Sequence, residues 1–350
     1  MFEQAEIHFT CHDEIGSEGR NSKVFTATDH QLDAPIVVKR IDRQDFLNQD
    51  EYFAEAKRLY DARHPHVVPV KFACKTTTHI FIAMPLYERG SVHSLLLRRH
   101  PTVREIVRIG LDFLTGLHHI HLCGLIHFDV KPSNVLLDAS GRAAVTDFGL
   151  AKYVDSHGLA ERDVMYASHR PPEGFLYDVF AQAADIYQAG LTLYRMAVGL
   201  AAFDEQWASH AGDPTQAGKA VIAGRLPDRT ASAYPAHIPS RLRKAIRTAL
   251  QPDPDDRYGE VLGLINDLGN VDEWLDWQYD RAGALERWTS RYDGQQKVIE
   301  LTEVSRTSYE VRAKSIRLED GRERKSGVLS GDTITRALAH GLVQNALTNL

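Results

Sequence analysis

Apolar and polar positions alternate in the first part of the chain. Short β-branched or apolar runs separated by turn residues fill residues 7–41, and Ile80–Met84 is a further run of this kind. Such alternation is typical of antiparallel strands with one buried face. Between these runs, residues 45–62 carry apolar side chains at helical spacing. We therefore predict a small antiparallel sheet accompanied by one helix.

The middle of the chain has the periodicity of helices. Residues 102–122, 180–200 and about 259–269 place apolar side chains three or four positions apart, which predicts helices that bury one face. The segments between them predict loops and short strands. This order of elements indicates an α+β fold with two lobes, a sheet-rich one over about residues 10–84 and a helical one over about residues 88–270.

A different pattern ends the chain. Trp274 and Trp288 lie near one helical face of residues 271–289, so we interpret that stretch as a helical linker packed against the second lobe. From residue 290 the period returns to two, which predicts three strands followed by a helix at about 332–348. We interpret residues 290–350 as a small accessory α/β domain.

Composition places few limits on function. The 350 residues carry a net charge of -6 and are 43% hydrophobic, which is ordinary for a globular protein and gives no general reason to expect nucleic acid. Three cysteines without a C-x-x-C pair predict neither a disulfide framework nor a zinc site. No signal-peptide pattern and no run of about 18 apolar residues occurs. We expect a cytoplasmic protein without a membrane partner.

Two short strings carry the chemistry. The segment His127–Asn134 holds Asp129, Lys131 and Asn134, and Asp147 opens an Asp-Phe-Gly string eighteen residues after the first aspartate. Phosphoryl transfer needs a carboxylate to orient the attacking hydroxyl, a cation near the transferred group and oxygen ligands for a metal ion. We interpret the two strings together as a phosphotransferase signature.

This spacing resembles the catalytic and metal-binding loops of the eukaryotic-type protein kinases, whose usual string is His-Arg-Asp-Leu-Lys-Pro-x-Asn followed by Asp-Phe-Gly. The resemblance can be followed over about residues 10–270 and implies the bilobal kinase fold. It further implies that Asp129 orients the attacking hydroxyl and that Lys131 stabilises the transferred phosphoryl group. Asn134 and Asp147 would hold magnesium.

The same resemblance implies an ATP site. Ile15–Val24 resembles the glycine-rich loop, although Ser22 replaces its last glycine, and Phe81–Ser91 resembles the hinge between the lobes. The strand lysine of the family is expected to pair with a helix glutamate, for which Glu55 is the first choice and Glu51 the alternative. The implied ATP-binding residues are Gly16, Gly19, Val24, Val37, Lys39, Glu55, Met84, Leu86, Tyr87 and Leu136.

Two departures from the family pattern bear on regulation and substrate binding. Phe128 stands where most members have an arginine that grips a phosphate on the activation segment, and a phenyl ring cannot form those charged bonds. We therefore predict that activity does not depend on activation-segment phosphorylation. Met165-Tyr166 replaces the usual Gly-Thr ahead of the Pro-Glu motif.

Glu173 and Arg257 are expected to form the buried ion pair that braces the second lobe.

The pattern as a whole predicts a protein Ser/Thr kinase that uses ATP and magnesium and acts on protein substrates, similar to bacterial or phage-borne members. Lys131 followed by Pro-Ser-Asn is typical of Ser/Thr-directed kinases. A pseudokinase scaffold would require the loss of Lys39, Asp129 or Asp147, all of which are present. A small-molecule kinase would share His-x-Asp-x-x-x-x-Asn without the lysine, the Asp-Phe-Gly and the Pro-Pro-Glu strings.

The accessory domain has no assigned chemistry. Residues 281–350 hold twelve Lys/Arg and nine Asp/Glu, a balance of 12 - 9 = +3. The predicted order of helix, three strands and helix resembles double-stranded RNA-binding domains, but the basic helix start is missing around 331–337. Nucleic acid is therefore not the expected partner. Docking, oligomerisation and autoregulation stay open as roles, and so does the oligomeric state.

Overall fold

The part of the chain that the structure describes contains two five-stranded antiparallel sheets, three short strand pairs and a helical body. The computed structural model describes residues 6–15, 22–45, 53–162, 167–210, 214–305, 308–329 and 335–349. In the described ranges, no helix is long and apolar enough to cross a membrane. The first sheet and the helical body are the two lobes predicted from the sequence, so the α+β, bilobal fold class is confirmed.

The amino-terminal sheet has five strands in the order β1-β2-β3-β5-β4. Its strands are β1 (Phe9–Glu14), β2 (Ser22–Asp29), β3 (Ala34–Asp42), β4 (Phe72–Lys75) and β5 (His79–Pro85). Helix α1 (Ala54–Asp61) packs its Ala56 against Ile41 of β3 and Ile80 and Ile82 of β5. Strand β4, which is short and half-buried, was not predicted from the sequence.

The helical body is built around α3. Its helices are α2 (Val92–Arg98), α3 (Val103–Leu122), α4 (Ala183–Val198), α5 (Leu200–Ala208), α6 (Pro214–Ile222), α7 (Ser240–Ala249) and α8 (Val261–Gly269). Thr102 and Glu105 start α3 with a reciprocal capping box, which satisfies two of the free backbone N–H groups at a helix start. Ten buried residues of α3 lie along its length, so this helix forms the centre of the main core.

Short strand pairs carry the loops between α3 and α4. They are β6 (Leu125–Ile126) with β9 (Lys152–Tyr153), β7 (Val135–Leu137) with β8 (Ala143–Val145), and β10 (Ala160–Glu161) with β11 (Val179–Phe180). Each pair holds two loops at a fixed separation. The two strings that carry the candidate chemistry, His127–Asn134 and the Asp-Phe-Gly string at Asp147, therefore lie between hydrogen-bonded strands.

The carboxy-terminal unit is a meander of five antiparallel strands covered by one helix. Its elements are β12 (Gln278–Ala282), β13 (Leu285–Tyr292), β14 (Gln295–Ser305), β15 (Ser308–Arg317), β16 (Glu323–Leu329) and α9 (Arg336–Asn349). The helical linker predicted over 271–289 is wrong, because residues 278–292 form the β12–β13 hairpin. Gly283, at φ +59, permits its tight turn. The three predicted strands correspond to β14, β15 and β16, and two more precede them.

This unit packs on the helical body through a few specific contacts. Trp288, fully buried, donates its indole N–H to Nδ1 of His237 at 3.0 Å. Gln278 donates to the backbone carbonyl of His100 at 2.8 Å, and the backbone N–H of Arg104 donates to the carbonyl of Leu275 at 2.9 Å. The unit is therefore attached to the helical body at the start of α3 and at the segment before α7.

Candidate active site

A single buried carboxylate shapes the loop that follows β6. Asp185, at the start of α4, is fully buried and accepts the backbone N–H groups of His127 and Phe128 at 2.7 and 2.8 Å. It also accepts from Nε2 of His121 at 2.8 Å. Phe128 takes φ +64, a left-handed conformation that costs roughly 1–2 kcal/mol for a residue with a Cβ. The bonds to Asp185 hold that conformation in place.

Gln188 completes this support one turn further along α4. Its side chain accepts the N–H of Val130 at 2.9 Å and donates to the carbonyl of Phe128 at 3.0 Å. His127 contributes a third bond, from Nε2 to the carbonyl of Thr146 at 3.0 Å. The sequence reasoning gave Gln188 no role, because a buried glutamine on a helix has no motif signal.

The loop brings Asp129, Lys131 and Asn134 together. Asn134 donates its Nδ2 to Oδ2 of Asp129 at 2.8 Å, and Nζ of Lys131 lies 3.0 Å from the same oxygen. Burial raises the pKa of Asp129 above its usual value, and the positive charge of Lys131 opposes that rise. Among the described residues, Oδ1 of Asp129 has no hydrogen-bond partner, so this oxygen is open to a hydroxyl donor.

Lys39 joins the two lobes. Its Nζ lies 2.8 Å from Oε1 of Glu55 on α1 and 2.8 Å from Oδ1 of Asp147. The positive charge of Lys39 holds the pKa of Asp147 below its ordinary value and outweighs the partial burial of this carboxylate, which by itself would raise the pKa. Burial would likewise lower the pKa of Lys39, whereas Asp147 and Glu55 raise it well above its ordinary value. Of the two glutamates expected as partners, Glu55 forms the pair, and Glu51 lies outside the described residues.

Some of the residues expected to bind ATP at the hinge lie together. One apolar cluster at the hinge is made of Val37, Val68, Met84, Tyr87, Leu136 and Ala144. Val68 and Ala144 belong to this cluster although the sequence gave no sign of it. Val24 faces Lys39 in the β2–β3 pairing and is half-buried, as is Leu86 after β5. Gly16 and Gly19 lie outside the described residues.

The oxygen ligands available near Lys39 suit magnesium. Asn134 uses its amide nitrogen on Asp129, which leaves its carbonyl oxygen for a ligand, and the Asp147 side chain is 40% exposed. Magnesium takes one or two protein oxygens and completes its shell with water and phosphate. Within the described ranges, no group of three or more His, Cys, Asp or Glu could hold a metal ion by itself. The oxygens of Asn134 and Asp147 are therefore ligands of the kind that magnesium takes from a protein.

The predicted brace of the second lobe is confirmed. Arg257 forms two bonds to Glu173, at 2.8 and 2.6 Å, and also donates to the backbone carbonyls of Gln251, Ala183 and Pro252. A guanidinium with all its donors engaged can be buried at low cost. The pair fixes the loop before α4 against the loop before α8.

Comparisons with known proteins agree with this geometry. The family model described as "Protein kinase domain" matches residues 9–267. Over 263 residues, or 73% of this chain, the sequence is 29% identical to a probable serine/threonine-protein kinase of Clostridium perfringens. It is 26% identical over 74% of the chain to serine/threonine-protein kinase PknL of Mycobacterium tuberculosis. It is 28% identical over 70% of the chain to CBL-interacting protein kinase 22 of Oryza sativa.

These relatives are longer proteins. The matched region spans 37% of the Clostridium perfringens protein, 64% of PknL and 58% of the rice protein. The family match covers most of the present chain and includes every residue of the site described above. The chain belongs to the protein kinase domain family.

Proposed function

We propose that this chain is a protein kinase that transfers the γ-phosphoryl group of ATP to Ser/Thr hydroxyls of proteins, with magnesium as cofactor. One observation carries the proposal: Lys39 bonds both Glu55 and Asp147, while Asn134 and Lys131 converge on Asp129. Two of the similar proteins carry serine/threonine-protein kinase names, which supports the hydroxyls of Ser and Thr rather than the phenol of Tyr as acceptors. A cytoplasmic location stays our prediction from the sequence.

The side chains divide the work. Oδ1 of Asp129 would accept the proton of the attacking hydroxyl, while Asn134 and Lys131 hold its other oxygen in place. The positive charge of Lys131 would also stabilise the negative charge on the transferred phosphoryl group. Lys39 would exchange part of its contact with Asp147 for the phosphates of ATP. Bound magnesium, held by Asp147 and Asn134, would offset the phosphate charge.

We propose that the activation segment needs no phosphate to adopt this arrangement. Phe128 packs edge-to-face on Phe180, with ring centroids 5.6 Å apart, in a buried cluster with Ile126, Ala160 and Ala184. Ala160 belongs to β10, which pairs with β11. Apolar contact and strand pairing thus hold the segment at the place where a charged clamp is expected. Phosphate on Ser156 or Ser168 would have no arginine at position 128 to bind.

The carboxy-terminal unit is proposed to bind protein rather than nucleic acid. On its sheet, Arg287 pairs with Glu300, Arg312 with Glu310 and Lys314 with Glu323, at 2.8 to 2.9 Å. Cations that are already paired add little to phosphate binding, which relies on a net positive surface. The mixed charge of this face favours a docking or autoregulatory role.

The test is incubation of the full chain with labelled ATP, magnesium and a protein substrate mixture, followed by phosphoamino-acid analysis. Label on Ser/Thr of protein is expected. Asp129→Ala should lower the rate about 10²- to 10⁴-fold, because it removes the proton acceptor. Asp204→Ala, which removes an exposed carboxylate of α5, should leave the rate unchanged. Label that appears only on small molecules, or not at all, would contradict the proposal.

A further inference from the structure

Helix α1 carries Glu55 to Lys39, and the chain that follows Asp147 contacts the other end of this helix. Arg58 donates from Nη2 to the backbone carbonyl of Phe148 at 3.2 Å. One turn later, the hydroxyl of Tyr153 donates to Oδ2 of Asp61, the last residue of α1, at 2.9 Å. Both bonds hold α1 from the second lobe.

Tyr153 is itself firmly placed. It lies in β9, where it pairs with Leu125 of β6, and the next backbone N–H, that of Val154, donates to the carbonyl of Gly124 at 2.8 Å. Strand β6 runs directly into the loop that holds Asp129. Tyr153 therefore connects the end of α1 to the backbone that positions the proton acceptor.

Helix α1 is short and depends on contacts with the rest of the protein. Phe53, its N-cap residue, makes no side-chain capping bond, and the helix is only eight residues long. A helix of this length depends on packing and on contacts at its ends rather than on its own backbone bonds. Leu59 is buried in the main core and keeps the helix attached to the protein. Together with the packing of Ala56, the bonds that Arg58 and Asp61 make to the second lobe can then set its orientation.

We propose that Tyr153 is a positioning residue, whose hydroxyl holds the carboxy-terminal end of α1 so that Glu55 stays on Lys39. The inference rests on the proposed kinase function and names part of its control. Burial and the neighbouring Asp61 raise the pKa of the Tyr153 hydroxyl above its usual value, so it is a proton donor at neutral pH. No phosphate group takes part in this contact.

The contact is modest in strength. The Tyr153 side chain is 52% exposed and Asp61 is exposed, so water competes for both groups. A hydrogen bond of this kind shifts an equilibrium by about two- to tenfold. Its loss should therefore change how often α1 is in place, and leave the folded state intact.

The experiment compares Tyr153→Phe with wild type in the full chain. The substitution keeps the ring and removes only the hydroxyl. Hydrogen exchange of the Ala54–Asp61 amides should become about two- to tenfold faster, kcat/KM for ATP should fall by a similar factor, and the melting temperature should stay within about 1 °C. Tyr292→Phe, which alters a 75% exposed tyrosine in the carboxy-terminal sheet, is the matched control and should change none of the three measurements.

Two further variants test whether the effect follows the proposed route. Asp61→Ala should reproduce Tyr153→Phe, and the double variant should be no worse than either single one. In a Glu55→Gln background, Tyr153→Phe should have no further effect on kcat/KM. Unchanged exchange in Tyr153→Phe, or additive effects with Asp61→Ala, would overturn the inference. Exchange is measured without catalysis, so a wild-type protein that lacks kinase activity would refute the proposed function and still leave the Tyr153 contact tested.

Discussion

At position 128, the backbone and the side chain are held by different parts of the protein. Phe128 keeps the backbone bonds to Asp185 and a left-handed φ of +64, while its ring joins an apolar cluster with Phe180. The side chain is 1% exposed. The loop geometry therefore comes from α4, and the side chain is free to contact the activation segment by charge or by apolar packing.

Phe128→Arg should destabilise the protein by about 2–4 kcal/mol, because a charged guanidinium would replace the ring in the apolar cluster with Ile126, Ala160 and Phe180. Denaturant unfolding measures the change. Phe128→Leu, which keeps an apolar side chain of similar volume, should cost less than about 1.5 kcal/mol.

Wild-type protein and Phe128→Arg together test the prediction about regulation. Wild-type protein treated with phosphatase should keep its kinase rate within about twofold, since no phosphate clamp is needed at position 128. Strong inactivation by phosphatase, or a Phe128→Arg protein as stable as wild type, would show that the apolar cluster does not hold the segment.

Among the elements, the β12–β13 hairpin shows why part of the fold could not be predicted. Tyr279 and Trp288 are direct cross-strand partners, nine positions apart, and both are buried. Spacings of three, four and seven among the apolar residues of this stretch fit a helical face. The same spacings arise in a hairpin. Buried side chains alternate with exposed ones along each strand, and the two-residue turn at Gly283 changes the spacing between the buried positions of the two strands. The pairing of β13 with the neighbouring strand β14 distinguishes the hairpin from a helix.

The residues of the catalytic loop, in contrast, could be predicted from the sequence. Asp129, Lys131 and Asn134 lie within six residues, so a local motif fixes their identity, and the structure brings them together as the motif implies. Gln188 and Val68 contribute from distant elements, and no local spacing identifies them. Residues supplied by another part of the chain are visible only once the fold is known.

Helix α3 gives a prediction about close packing. A Cβ added at Gly116 would overlap the backbone carbonyl oxygen of His66, which cannot move as a side chain can. Gly116→Ala should therefore destabilise the protein by about 1–3 kcal/mol, although alanine is the better helix former. Gly341→Ala in α9, where nothing lies within 4 Å, should stabilise it by about 0.5–1 kcal/mol. Thermal unfolding of both variants measures the difference, and equal shifts would contradict the packing argument.

At the scale of the whole molecule, the carboxy-terminal unit and the helical body share one buried histidine. His237 accepts the Trp288 indole N–H and stacks on Tyr279, with ring centroids 5.1 Å apart. Burial, and then the nearby His100, lower its pKa from 6.5 to about 3. The contact between the two parts thus requires a neutral imidazole.

Stability should fall as the pH drops below about 6.5, because the unfolded chain then binds a proton that folded His237 refuses until about pH 3. Between pH 7 and pH 5 this amounts to about 2 kcal/mol. Denaturant unfolding at both pH values measures it. His237→Gln, whose amide oxygen can accept the indole N–H, should lose less stability over this range, and the exposed His157→Gln should behave like wild type. Equal pH dependence in wild type and His237→Gln would contradict this account.

The contact between Trp288 and His237 also bears on what the intrinsic fluorescence of this protein reports. The chain has four tryptophans, of which Trp274, Trp277 and Trp288 lie in or next to the carboxy-terminal sheet and Trp207 lies in α5. None belongs to the cleft around Lys39 and Asp129. Tryptophan fluorescence therefore reports mainly on the carboxy-terminal unit and its attachment, with Trp207 as a contribution from the helical body.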